Sequence, residues 1–243
     1  MRKVVAATAI VALSAATSAC GHSNDENPGP QVSQNYQVGN FTEVEVAGPF
    51  DVTIHTGAAP SVQAKGNQKL IERLIVEVKG DKLLIHPKQN HGWFGSWSSV
   101  RGKGAIAVTV PDLRAATLAG SGGLDIDKVQ GDSFDGQIAG SGDLKVGSVD
   151  VGDLKLGIAG AGGARVGSGK AKNAEYEIAG SGGVDGAALT VETLKVSIAG
   201  SGSVKANATG TADVSIMGSG DVNVTGGAKC SVSKAGAGDV RCS

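Results

Sequence analysis

Large aromatic side chains are scarce in this chain of 243 residues: four Phe, two Trp and two Tyr. An interior organised around rings is therefore excluded, and small β-forming residues must fill the core. Charge of one sign is missing as well. With 22 Lys and Arg against 23 Asp and Glu, the net charge is −1, and no general electrostatic attraction to nucleic acid exists. The chain has no nucleophile-elbow pattern, no His-Glu-x-x-His and no isolated cluster of acid and base. These absences argue against an enzyme.

Glycine, by contrast, is abundant, at 39 residues. Much of it falls in one recurring string: Ala119-Gly-Ser-Gly, Ala139-Gly-Ser-Gly, Ala159-Gly-Ala-Gly, Ala179-Gly-Ser-Gly, Ala199-Gly-Ser-Gly, Met217-Gly-Ser-Gly and Ala235-Gly-Ala-Gly. The successive spacings are 20, 20, 20, 20, 18 and 18 residues. A nucleotide-binding loop or a catalytic Ser motif would occur once, and Ala161 and Ala237 replace the Ser in two copies. A nearly fixed period of this length predicts an all-β parallel solenoid, each coil of about 18–20 residues burying its apolar side chains against the next. Calcium-binding glycine repeats have a period of about nine residues with a regular Asp, so no metal is expected here. An anion held by the corner amides is a weaker reading than a purely geometric role for the corner.

Within each coil, apolar residues alternate before the string, as in Leu154, Leu156, Ile158 and Leu194, Val196, Ile198. Stacking would place Ile138, Ile158, Ile178, Ile198 and Ile216 in one inward column, with Lys234 in that position in the last coil. A shorter alternating segment follows most strings, so a coil has at least two short strands. Outward, Asp135, Lys155, Glu175, Lys195 and Asp213 alternate in sign until Ser231 ends the series. An in-register parallel stack favours this order, because like charges would repel.

The N-terminal half is less regular. Val44, Val46, Phe50, Val52 and Ile54 predict two strands around a Gly48-Pro49 turn; a helical turn and a hairpin about Gly80-Asp81 follow, then a strand in "AIAVTVPDL". These units are expected to cover the open N-terminal end of the stack. Between Ile85 and Ala105 lies "HPKQNHGWFGSWSSVRGKG", which carries Trp93, Phe94 and Trp97. Such rings on a glycine-rich loop suit contact with a glycan or a protein; the competing reading folds them back as a plug over the end of the core. His86 and His91 lack a third ligand at zinc-site spacing and read as surface residues.

Residues 1–20, "MRKVVAATAIVALSAATSAC", have a basic start, an apolar run from Val4 to Leu13 and small residues before Cys20: an export signal. The small residues make Cys20 a candidate lipidation site anchoring the protein to the membrane, although Thr17 stands where the lipobox usually has Leu and ordinary cleavage near Ala19 is the alternative. Residues 21–40, polar with Pro28 and Pro30, read as a tether. Cys230 and Cys242 both take inward register positions and form a candidate disulfide stapling the last coil, with two separately buried thiols as the alternative.

The strings "VEVAGPFDVTIHTG", "VKGDKLLIHP" and "VTVPDLRAATLAGSGGLDI", with the AGSG coils after them, span roughly residues 41–242. In combination they resemble the putative auto-transporter adhesin family with a head-GIN domain, found on bacterial envelope proteins. The resemblance implies a right-handed parallel β-helix-like fold and a cell-envelope location; the residues themselves divide into N-terminal β coils and a hairpin over 41–118 and regular glycine-cornered repeats over 119–243. The resemblance brings no catalytic residue and no cofactor. The function expected is a binding or structural module at the outer membrane or cell surface, with an envelope glycan or surface protein as candidate partner. The alternative is a carbohydrate-active enzyme of the polysaccharide-lyase or hydrolase type on a β-helix.

Overall fold

The computed structural model describes residues 29–88 and 104–243. Cys20, Trp93, Phe94 and Trp97 lie outside them. The described residues form a parallel β-solenoid of about six turns. The regular coils are β9 (Gly123–Gly140), β10 (Asp143–Gly160), β11 (Gly163–Val166) with β12 (Gly169–Gly180), β13 (Gly183–Gly200) and β14 (Ser203–Gly218). Each pairs in parallel with its neighbours at the offset the glycine strings set: Ile158 is opposite Ile138 and Ile178, and Ile198 is opposite Ile178 and Ile216. The column extends through Leu118, Val46 and Ile85, and all eight side chains are buried. Among the described residues no charged side chain is buried, so apolar burial holds the coils together.

Coils have three paired segments rather than the two legible in the sequence. In β10 these are residues 143–146, 148–151 and 153–160, with the pairing to β9 interrupted at Gly147 and Gly152. The middle segment buries Val149 and Val151, and its counterparts bury Val129, Ala171, Leu189, Val191 and Ala208. Three inward rows meeting in one apolar cluster make a three-sided coil.

The glycine corner closes that coil. Gly160 has φ +131°, a conformation unfavourable to residues with a Cβ, and a Cβ there would overlap the carbonyl oxygen of Gly140. Gly162 lacks the positive φ, but its Cβ would overlap the oxygen of Gly142 and press on Ile138. Both glycines of the string are thus set by the closeness of the coil beneath.

The N-terminal half departs from chain order. β2 (Glu43–Ala47) lies between β6 (Lys82–Pro87) and β8 (Ala115–Gly120), and β3 (Asp51–Thr56) between β7 (Ala105–Val110) and β9, all in parallel. The chain therefore starts one coil inside the stack, moves outward to build the β6–β7 coil, and returns to β8. Antiparallel strands cover the outer coil: β5 (Leu74–Lys79) on β6, and β4 (Ser61–Asn67) on β7. The short helix α1 (Gln68–Glu72) buries Leu70 and Ile71 beside them.

Within the stretch 21–40 expected as a tether, Gln31–Tyr36 forms β1, antiparallel to β4. Its apolar content is Val32 and Tyr36, half-buried against the core. The rest of the strand is held by backbone pairing, by the Gln63 amide donating to Asn35 Oδ1 at 2.9 Å and by the Gln31 amide donating to Asn67 Oδ1.

At the other end, β16 (Lys229–Gly236) and β17 (Val240–Cys242) keep the expected register, Cys230 opposite Ala212 and Cys242 opposite Val224. They do not bury it: Val232 is 48% exposed and Cys242 is exposed, since among the described residues no coil covers them. Lys234, opposite Ile216, donates to the Gly238 carbonyl at 2.6 Å and puts a charge at the end of the apolar column. A charge in that position discourages edge-to-edge pairing with another sheet. Cys230 and Cys242 are joined by a disulfide across this coil, Cα atoms 6.6 Å apart.

Candidate functional site

Parallel register puts the alternating charges side by side. Lys195 Nζ lies 2.7 Å from Glu175 Oε1, and Lys155 Nζ lies 3.6 Å from Glu175 and 3.0 Å from Glu177. The hydrogen bond from Lys195 holds the Glu175 carboxyl below its ordinary range, and the same bond raises the Lys195 pKa. Lys155 is raised chiefly by its bond to Glu177. Lys155, Glu175, Glu177 and Lys195 are therefore engaged with one another from coil to coil. At the end of β3, Asp127 accepts the Thr56 amide at 3.1 Å and approaches His55 Nδ1 at 3.3 Å, tying two coils together. Partial burial works to raise its pKa, but amide bonds from Thr56 and Lys128 outweigh that and lower it.

The corner amides are likewise engaged. Ala161 and Gly162 donate their N–H groups to the Gly140 carbonyl at 2.9 and 3.1 Å, and Gly163 donates to Gly142 at 3.2 Å. The same bonds recur below, from Ser141 and Gly142 to Gly120. Donors committed to the neighbouring coil have no share left for an anion, which decides the corner's role in favour of geometry.

The tryptophan-bearing segment enters and leaves at defined places. It joins β6 to β7, the connection made by Gly48-Pro49-Phe50 in the adjacent coil. The Lys88 amide donates to the Arg73 carbonyl at 2.6 Å on one side. On the other, Gly104 is buried against Leu70, with no room for a Cβ. Thus α1 and its following turn brace both stems. His86, on the entering strand, is half-buried, with Nδ1 3.1 Å from the Pro87 carbonyl and Nε2 3.5 Å from Glu77. His91 lies outside the described residues.

A feature missed in the sequence lies on the middle segments. Gln130, Asp150, Lys170 and Thr190 form an outward column, one per coil, with Asn207 donating to Thr190 Oγ1 at 3.3 Å. Beside it the inward row reads Val129, Val149, Gly169, Leu189: a glycine where its register partners are buried aliphatics. No room is left for a side chain there, because a Cβ on Gly169 would overlap the Val149 carbonyl oxygen; an open depression of about 560 Å³ lies along the outward column beside it. The signal was present as the period-20 recurrence of Val129, Val149 and Leu189, interrupted by Gly169.

Residues 40–228 match the family described as "Putative auto-transporter adhesin, head GIN domain". The chain belongs to this family. A search of the curated proteins finds no match to it. Among solved structures it is similar to a "putative adhesin" from Bacteroides fragilis, with TM-score 0.77 and 20% identity over 88% of this chain and 97% of that one. A "putative lipid binding protein" from Parabacteroides distasonis is similar at TM-score 0.70 and 22% identity, covering 88% and 97%. A "putative adhesin" from Parabacteroides merdae gives 0.65 and 17%, over 88% and 97%. At these identities the likeness establishes the solenoid of the family and its extent.

Proposed function

We propose that this protein is a non-enzymatic, adhesin-like binding module of the bacterial cell envelope. Membership of the adhesin-described family over residues 40–228 carries the reading. The coil-to-coil engagement of Lys155, Glu175, Glu177 and Lys195 supports it, since these charges serve the stack rather than a focused acid–base site. The Cys230–Cys242 disulfide suits an exported protein. On this reading residues 1–20 direct export, a lipid on Cys20 holds the protein at the membrane, and Trp93, Phe94 and Trp97 meet an envelope glycan or surface protein. The braced stems at Lys88 and Gly104 favour that segment as the contact device, because rigid supports lower the ordering cost of binding.

The test is Trp93→Ala combined with Trp97→Ala. Binding to cells or glycans should be abolished while the melting temperature stays nearly unchanged. Marked early unfolding with binding per folded molecule intact would make the rings a core plug and move the contact surface elsewhere.

A further inference from the structure

We propose that the Cys230–Cys242 disulfide is a redox clasp: a dithiol reductant cuts it in the folded protein, and β17 then opens away from β15 while the coils beneath keep their structure. This device does not depend on what the protein binds.

Burial falls away in the outermost described coil. β14 and β15 (Asp221–Thr225) beneath it bury Ala212, Val214, Ile216, Val222 and Val224, whereas no apolar side chain of β16 or β17 is buried: Cys230 and Val240 are half-buried, and Val232 and Cys242 are exposed. β17 has three residues, each paired with β15. The backbone adds bonds from the Val222 amide to Asp239, from Ser243 to Val224 and from Gly227 to Ser243, at 2.8, 3.0 and 3.0 Å. A strand with so few buried contacts opens locally at low free energy. Closing it covers Val222 and Val224, and the cost is the ordering of a short segment. The disulfide lowers that cost, because it ties β17 to β16, whose eight residues are all in register with β14.

The bond is also placed for attack. Cys242 is exposed, so a thiolate can approach without prior unfolding, and exposed disulfides are the labile, regulatory kind. Each cysteine directly follows a cation, Lys229 before Cys230 and Arg241 before Cys242, and positive charge nearby favours the thiolates that arrive and depart. The first thiolate of the reductant bonds to Cys242 Sγ, the S–S bond breaks, and Cys230 leaves as a thiolate that takes up a proton. The second thiol of the reductant then displaces Cys242 from the mixed disulfide. Two electrons and two protons have passed to the protein, and the reductant departs as a disulfide.

The experiment treats the mature protein with dithiothreitol in the absence of denaturant. Alkylation is read on the peptides carrying Cys230 and Cys242, and hydrogen exchange on β17 and β10. Both cysteines should become alkylatable, β17 should exchange at least tenfold faster, β10 should be unchanged, and reoxidation should restore the protection of β17. Reduction that requires denaturant, protection of β17 that survives reduction, or protection lost in β10 as well overturns the clasp. Cys230→Ser with Cys242→Ser should exchange in β17 like the reduced protein, with or without dithiothreitol; an effect of dithiothreitol that persists in this variant also overturns it. If the variant fails to fold, the reduction of the unmodified chain decides without it.

Discussion

The hydroxyl of Tyr176 ends 2.6 Å from where a Cβ on Gly186 would stand. Tyr176 is fully buried, its hydroxyl has no hydrogen-bond partner, and burial pushes its pKa up. Gly186 occupies an inward position that is Val146 and Val166 in the two preceding coils. One large ring among aliphatics has thus been matched by one absent side chain on the facing segment.

This pair should show energetic coupling. Tyr176→Phe removes an unpartnered polar atom and should leave stability equal or raise it by about 1 kcal/mol. Gly186→Ala should cost about 1–3 kcal/mol through overpacking, and clearly less in the Tyr176→Phe background. Urea melts of the four proteins check this; additive effects would contradict the packing.

Lys155→Glu with Lys195→Glu turns the alternating column into an unbroken acidic run with Asp135, Glu175 and Asp213. The melting temperature should fall, more at low salt than at high salt. Native Glu175 has a lowered pKa, so its contribution is present above the ordinary carboxylate range and lost as pH falls through the lowered value. Lys155 and Lys195 are raised, so theirs is lost as pH rises through those values. The crowded acids of the variant behave oppositely, and its deficit should shrink on acidification. A melting temperature insensitive to salt would count against the in-register stack.

Pairing of Cys230 with Cys242 predicts one linked peptide pair in a non-reduced digest of the exported protein. Replacing both by Ser should speed hydrogen exchange in β16 and β17 while β10 keeps its protection, because repeat coils depend mainly on their neighbours. Recovery of two alkylatable thiols after unfolding without reductant would dismiss the staple.

The solenoid was legible because its signals repeat: the Ile138 to Ile216 column and the Asp135 to Asp213 charges recur at the offsets that the register shows. The middle segment was not, because Gly169 breaks its Val129, Val149, Leu189 row and only one or two of its side chains face inward per coil. β1 escaped because Gln31, Ser33, Gln34 and Asn35 are polar and its pairing is made by backbone against β4. The insertion of β2 between β6 and β8 could not be read, since strand order in space is a long-range property. The inward register of Cys230 and Cys242 was legible, but Cys242 is exposed, because burial needs a covering layer as well as register.

Lipidation of Cys20 predicts that Cys20→Ser moves the protein from the membrane fraction to the soluble exported fraction. An unmodified protein already soluble after export would contradict the anchor.

Binding without turnover separates an adhesin-like module from a carbohydrate-active enzyme. Mature protein is incubated with isolated envelope polysaccharide, and bound protein and new reducing or unsaturated ends are measured over time. Saturable binding with no ends released above the protein-free control is the expected result. Release that grows with time and with protein concentration would contradict it and make the solenoid a carbohydrate-active enzyme.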